Sequence, residues 1–134
     1  MTREIISSSR NQTDDGRWRS IFADLAFWSL AGAIVAALSG PLGDWWSVPH
    51  PALLAGGLSF LVGGVGLLFW LNRMRPIPRR LVRGFGVFNL IFAPVVWVTA
   101  WYGWLPLSES GNWALVAAGV IAIVLGGWQL NTSR

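Results

Sequence analysis

The chain has no cysteine, no lysine and only one histidine. Without cysteine, disulfides, thiol catalysis, thiolate metal sites and iron–sulfur clusters are excluded. The single histidine, His50, lies between Pro49 and Pro51, so several imidazoles of one chain cannot share a metal ion. Paired carboxylates at depth, a serine with a base placed by motif and a glycine-rich phosphate loop are also missing. We therefore expect no enzymatic activity and no bound cofactor or metal ion.

Charged residues are also scarce, at 12% of the chain against roughly 25% in an average soluble domain. They are missing from four long stretches, residues 25–43, 45–72, 84–108 and 110–133. About 20 apolar residues in a helix cross the ~30 Å hydrocarbon layer of a bilayer. The sequence therefore predicts an all-α integral membrane protein with four transmembrane helices.

Glycine and proline mark the ends of these helices. Gly40 and Pro41 end the first span, Pro51 begins the second, and Pro76 and Pro78 separate the second from the third. The predicted spans are about residues 21–39, 51–71, 83–104 and 113–130. Short connections between them predict an antiparallel four-helix bundle in one domain over residues 21–130.

The distribution of arginine orients this bundle. All ten basic residues are arginines, and they lie before the first span, between the second and third spans, and at the C-terminus. The other two connections, residues 40–51 and 105–112, carry only Asp44 and Glu109 as charges. Because basic residues are retained on the cytoplasmic side of a membrane, we expect both termini and the middle connection to be cytoplasmic.

The polar parts of the chain are then cytoplasmic. Residues 1–20 form a polar segment without a removable signal peptide, and residues 131–134 form a tail. The arginines of the middle connection are expected to contact anionic lipid headgroups; they are Arg73, Arg75, Arg79, Arg80 and Arg83. These juxtamembrane clusters lack the interleaved aromatic residues of a nucleic-acid surface, so we expect the lipid bilayer and no nucleic acid as a partner.

Tryptophan is abundant, with ten residues in the chain. Eight lie near predicted span ends, where the indole ring anchors a helix at the membrane interface. Trp28 and Trp97 lie deeper, and we expect each to pack against a neighbouring helix or to stack on a cofactor or a lipid tail.

Small residues recur at four-residue spacing in three spans. The stripes are Gly32, Ala36 and Gly40 in the first span, Ala55, Ser59 and Gly63 in the second, and Ala114, Ala118, Ala122 and Gly126 in the fourth. Lipid supplies no hydrophobic drive between helices, so close backbone contact replaces it. The stripes predict a tight bundle, or faces that dock on another membrane protein or on a second copy of the chain.

Polar residues inside the spans are few, and such residues are costly in lipid. Asp24 lies one turn into the first span, where it is expected to pair with Arg17 and Arg19 or to form a proton or cation site. Asn89 lies about two turns into the third span, where its amide is expected to hydrogen-bond across the bundle or to contact a ligand.

A cavity is predicted at the third span, because Pro94 removes one helical hydrogen bond and kinks the helix. Trp97, Thr99 and Tyr102 follow on the same helix and, with Asn89, are expected to line that cavity. Together with Asp24 these residues form the candidate ligand or proton site.

The second half of the chain carries a resemblance. Asn89 in the third span is followed by Trp97 two turns on, by the run of residues 103–108 and Gly111, and by an alanine-rich last span that ends in Gln129 and Leu130. With these features residues 40–130 resemble a group of small uncharacterised four-span bacterial integral membrane proteins. The group would have Thr and an apolar residue where this chain has Ser108 and Glu109. The resemblance implies the four-span architecture and the bacterial cytoplasmic (inner) membrane, and it implies no activity.

Two functions follow from these observations. The first is a non-catalytic accessory or assembly component of a larger membrane complex, which docks through its small-residue helix faces. The second is a small transporter or lipophilic-ligand carrier, with Asp24 coupling protons to a polar site near the kink.

Overall fold

The computed structural model describes residues 2–134, with side chains from residue 12 onward, and this part of the chain is helical without a strand. The helices are α1 Thr2–Ala37, α2 Ser39–Trp46, α3 His50–Met74, α4 Arg79–Tyr102 and α5 Glu109–Thr132. Helix α1 from Gln12 onward and the whole of α3, α4 and α5 are long and apolar enough to cross a membrane. The all-α membrane class and the four spans predicted from the sequence are therefore confirmed.

Every long helix begins before its predicted span, and α1 and α4 each end two residues before the predicted end. Helix α1 begins at Thr2, so the polar segment before the first span continues the helix instead of forming a separate element. Helix α1 ends at Ala37, and the short helix α2 follows with Pro41 near its start. Proline is tolerated there because the first N–H groups of a helix have no partner within it.

The four long helices form two close pairs, α1 with α3 and α4 with α5. A seam between α1 and α5 joins the pairs. The backbones of α3 and α4 stay apart in the described chain, although side chains of both helices, among them Leu71 and Val82, belong to one apolar cluster near the turn that connects them. The bundle is therefore open between α3 and α4.

Glycine brings the helices of each pair together. A Cβ on Gly57 of α3 would lie 2.5 Å from the carbonyl oxygen of Gly32 on α1, and the reverse distance is the same. Between α4 and α5, a Cβ on Gly126 would lie 2.9 Å from the carbonyl oxygen of Gly86. Larger side chains at these positions would separate the backbones.

The predicted small-residue stripes coincide with these contacts only in part. Ala122 and Gly126 are buried, and Gly126 lies against Gly86 of α4. On α3 the packed positions are Gly57 and Gly64, whereas the predicted Ala55, Ser59 and Gly63 are exposed. The stripe on α3 that packs is thus rotated by about one residue from the predicted one.

The two ends of the bundle are held by different contacts. At the arginine end, Arg75 forms ion pairs with Asp14 and Asp15 of α1, and Arg79 donates a hydrogen bond to the carbonyl oxygen of Ser133. At the opposite end, the Ser108 hydroxyl donates a 2.6 Å hydrogen bond to the carbonyl oxygen of Trp45. The α1 segment around Asp14, the C-terminal end of the chain and the α3–α4 turn therefore meet at the arginine end.

Candidate functional site

Three polar side chains from three helices meet inside the bundle. They are Asp24 of α1 and Asn89 of α4, each 3% exposed, and Gln129 of α5, which is fully buried. All three lie within segments apolar enough to span a membrane. Their depth makes this polar triad the first candidate for function, because polar groups inside a membrane are costly.

The hydrogen bonds of the triad converge on one carboxylate oxygen. Asn89 Nδ2 donates to Asp24 Oδ2 at 2.8 Å, and Gln129 Nε2 donates to the same oxygen at 2.6 Å. Asn89 Nδ2 also donates to Gln129 Oε1 at 2.9 Å, which closes the triad. Asp24 Oδ1 accepts no hydrogen bond from the described residues, so it remains for another partner.

The predicted pairing of Asp24 with Arg17 and Arg19 is absent. Among the side chains that the structure describes, the ion pairs join Arg75 to Asp14 and Asp15. Arg17 instead donates a 3.4 Å hydrogen bond to the carbonyl oxygen of Thr132. Asp24 points into the bundle towards α4 and α5, because the two amides there satisfy its carboxylate.

Asp24 also lines a cleft of about 300 Å³ between α1, α3 and α4. Its rim residues Phe60, Gly63 and Phe88 are exposed, so the cleft opens on the outer surface of the bundle. This opening exists because the backbones of α3 and α4 stay apart. A volume of this size is at the lower end of small-molecule sites.

Aromatic rings dominate the lining of the cleft. The rings belong to Trp28 of α1, Phe60 of α3, and Phe85, Phe88 and Phe92 of α4. Trp28 lies at their centre, 6.2 Å from the ring of Phe60 and 6.1 Å from that of Phe92. Trp28 thus packs against neighbouring helices, as the sequence predicted for it, and also forms a wall of the cleft.

Of the other predicted site residues, Asn89 contacts Asp24, and Trp97, Thr99 and Tyr102 do not. The Thr99 hydroxyl donates a 2.8 Å hydrogen bond to the carbonyl oxygen of Val95 on its own helix. Tyr102 is exposed and stacks on Trp104 with ring centroids 5.8 Å apart. Trp97 packs against Gly119 and donates a 3.0 Å hydrogen bond to the carbonyl oxygen of Val116.

Helix α4 continues through Pro94 without a break. Beyond it, a groove of about 690 Å³ lies between α4 and α5, lined by Trp97, Trp101, Trp113 and Glu109 among others. Trp97 therefore belongs to this groove, whereas Asn89, Thr99 and Tyr102 line neither the groove nor the cleft, so the single cavity predicted around these four residues does not form.

The five arginines of the α3–α4 turn have different surroundings. Arg75 binds Asp14 and Asp15, and Arg79 binds Ser133. The guanidinium of Arg73 lies 5.3 Å from the centre of the Phe69 ring. Arg80 and Arg83 are exposed at the start of α4.

The residue that sequence reasoning missed is Gln129. It lies one position before the predicted end of the last span, where a polar side chain is expected to face the headgroups. A usable signal is the level in the membrane that the three polar residues share. Asp24, Asn89 and Gln129 all lie within about two turns of the arginine end of their predicted spans.

Comparisons with protein-family models, with curated proteins and with solved structures find no match for this chain. Four helices that are long and apolar enough to cross a bilayer nevertheless indicate a small multi-pass membrane protein. The polar triad and the cleft beside it are the features on which a more specific function can be built.

Proposed function

We propose that this membrane protein binds a lipophilic ligand in the cleft at Asp24 and acts as a small carrier or transporter. The observation that supports this proposal is a buried carboxylate that lines an apolar cleft open on the outer surface of the bundle. The proposed role is non-catalytic.

The open side of the bundle gives a ligand access from the membrane. A molecule dissolved in the lipid chains reaches the cleft between α3 and α4 without crossing water. The exposed residues of the lining are apolar apart from Ser59, whose hydroxyl donates to the carbonyl oxygen of Ala55 on its own helix. The aromatic walls then provide contact area, and Asp24 Oδ1 provides a polar contact that selects among apolar molecules. Buried polar groups in spans commonly mark such pathways.

The experiment that tests this proposal plugs the cleft. Gly63 lines the cleft, and a Cβ at this position would have no neighbour within 4 Å, so we expect Gly63→Trp to be accepted and its ring to occupy the cleft. Gly66→Trp is the matched control, since Gly66 also faces open space but lies outside the cleft lining.

Each variant is extracted in lipid nanodiscs, and its bound small molecules are identified by mass spectrometry. We expect a ligand with the unaltered chain and with Gly66→Trp, and its loss with Gly63→Trp. Equal ligand content in all three would refute the proposal.

A second function, an accessory or assembly component of a larger membrane complex, is favoured by the outer face of α3. Gly56, Gly63 and Gly66 on this face have no neighbour within 4 Å of their Cβ positions. Exposed glycines on a membrane helix permit close approach of another helix. The partner would be another membrane protein or a second copy of the chain.

Native mass spectrometry of the same nanodiscs distinguishes the two functions. A stoichiometric protein partner that is lost with Gly56→Trp and Gly66→Trp would support the accessory role. A monomer in each preparation would exclude it. The bound small molecule, by contrast, depends on Gly63 alone.

We further propose that the protein resides in a bacterial cytoplasmic (inner) membrane with both termini cytoplasmic. The arginine end of the bundle then faces the cytoplasm, as the retention of basic residues on that side favours. Arg73, Arg80 and Arg83 are the arginines best placed to contact anionic lipid headgroups, since Arg75 and Arg79 bind groups of the chain itself. Each such contact contributes roughly 1 kcal/mol.

A further inference from the structure

We infer that the ligand of the cleft is a lipophilic cation, an organic ammonium with apolar substituents, whose charge lies against Asp24 Oδ1 and replaces a proton there. This inference rests on the ligand-carrying function proposed above and specifies the chemical class of the ligand.

The first step is the charge balance around Asp24. Its two partners, Asn89 and Gln129, are neutral amides, and no described arginine pairs with it. Of the residues from α1, α3, α4 and α5 that line the cleft or bond to the carboxylate, Asp24 is the only titratable one. A lone charge inside a bilayer costs several kcal/mol. A proton or a bound cation must therefore compensate the carboxylate.

The second step is the geometry of the carboxylate. Both amides donate to Oδ2, so Oδ2 acts as an acceptor whether or not the group is ionised. The neutral acid can carry its proton on Oδ1 without breaking either bond. Arrival of a cation and departure of the proton thus leave the triad in place, and the net charge of the cleft does not change.

The third step is the chemistry of the walls. The faces of aromatic rings attract cations, with about 0.5–1 kcal/mol per contact at exposed sites and about 2 kcal/mol or more where water is excluded. Trp28, Phe60, Phe88 and Phe92 surround the space beside Asp24, and the rings of Phe88 and Phe92 are stacked 6.4 Å apart. A carboxylate within an aromatic wall favours an organic cation over a neutral or anionic molecule of the same shape.

A matched pair of probes tests the inference. Benzyltributylammonium is a permanent lipophilic cation, and its carbon analogue, in which carbon replaces nitrogen, is neutral and has nearly the same shape. Binding of both is measured in nanodiscs of neutral lipid, with a pH indicator in weak buffer to count released protons. We expect the cation to bind about tenfold or more tightly than the analogue, with about one proton released. Binding of the cation should tighten as the pH rises, because the proton competes with it.

Two substitutions locate the effect. Asp24→Asn keeps an acceptor for both amides but carries no charge, so we expect it to abolish the preference for the cation and the proton release. Phe88→Leu should weaken the cation about two- to fivefold and leave the neutral analogue unchanged. The control is Phe69→Leu, because Phe69 is exposed to a similar degree, 65% against 68%, and lies outside the cleft lining. The comparison of Phe88→Leu with Phe69→Leu still tests the inference if Asp24→Asn fails to fold.

The outcomes separate the two claims. Equal binding of both probes without proton release would overturn the cationic ligand class, whereas loss of a co-purified neutral ligand with Gly63→Trp would leave the carrier function intact. Binding of neither probe would overturn the cationic class as well. Retention of the co-purified ligand with Gly63→Trp would then refute the carrier function separately.

Discussion

Gln129 Nε2 on α5 donates a 2.6 Å hydrogen bond to Asp24 Oδ2 on α1, although 105 positions separate the two residues in the chain. This bond crosses the seam between the two helix pairs. With the bond from Asn89 it ties α1 to both α4 and α5. The polar triad therefore joins the two halves of the bundle, and one of its members, Asp24, also lines the cleft.

We expect Gln129→Leu to destabilise the bundle by about 1–2 kcal/mol. The substitution removes one donor to Asp24 and one acceptor of Asn89, so the bond from Asn89 to Asp24 is the only one of the triad that remains. Thermal unfolding in detergent, followed by circular dichroism, measures the effect. Asn131→Leu is the control, since Asn131 is an exposed amide on the same helix. An equal unfolding temperature for the two variants would contradict the structural role of the triad.

The neighbouring glycines Gly56 and Gly57 give a sharp test of helix packing. A Cβ on Gly57 would lie 2.5 Å from the carbonyl oxygen of Gly32, whereas a Cβ on Gly56 would have no neighbour within 4 Å. We expect Gly57→Ala to cost about 1–3 kcal/mol through overpacking and Gly56→Ala to be tolerated. Unfolding of both variants in the same detergent measures the difference. If Gly56→Ala is the more damaging, the face of α3 that packs on α1 has been assigned incorrectly.

The four spans could be predicted because lipid excludes charge over about 20 residues, and the gaps in charge are directly visible in the sequence. The rotation of each helix could not be predicted in the same way. On α3, Gly56 and Gly63 form one stripe and Gly57 and Gly64 form another, offset by a single position. Only the contact with α1 decides which stripe is buried.

The candidate site was harder to predict than the spans. Asp24 lies close to Arg17 and Arg19 in sequence, which favours an ion pair at the interface, but its carboxylate contacts residues 65 and 105 positions away. Such pairings depend on which helices lie side by side. The cleft has the same origin, because it exists where the backbones of α3 and α4 stay apart.

A third prediction concerns the tether at the arginine end. Arg75 donates to Asp14 at 2.8 Å and 3.0 Å and to Asp15 at 2.8 Å, and its guanidinium lies 5.2 Å from the centre of the Trp18 ring. Burial lowers the pKa of Arg75, but hydrogen bonds and charges of Asp14 and Asp15 raise it by more, so the net pKa is raised. The stabilisation that the charged Arg75 gives to the folded chain is therefore fully present below the ordinary pKa of arginine. It is lost only as the pH rises through the raised pKa of Arg75.

We expect Arg75→Gln to release the segment around Asp14 and to cost about 0.5–1 kcal/mol, because this pair is partly exposed. Hydrogen exchange of the backbone amides in residues 12–18 should become faster, and salt should reduce the difference from the unaltered chain. Arg80→Gln serves as the control, since Arg80 is an exposed arginine beside the same turn. Slow exchange in both variants would show that other contacts hold this part of α1.

The orientation of the bundle can be measured directly, because the chain has no cysteine and a single introduced thiol is therefore the only one. Gln12→Cys lies on α1 before the apolar segment, and His50→Cys lies at the start of α3, at the opposite end of the bundle from Arg75; both positions are exposed. The retention of arginine on the cytoplasmic side predicts that a membrane-impermeant maleimide labels His50→Cys in intact cells. It should label Gln12→Cys only after the membrane is permeabilised. The reverse pattern would place the arginine end outside the cell.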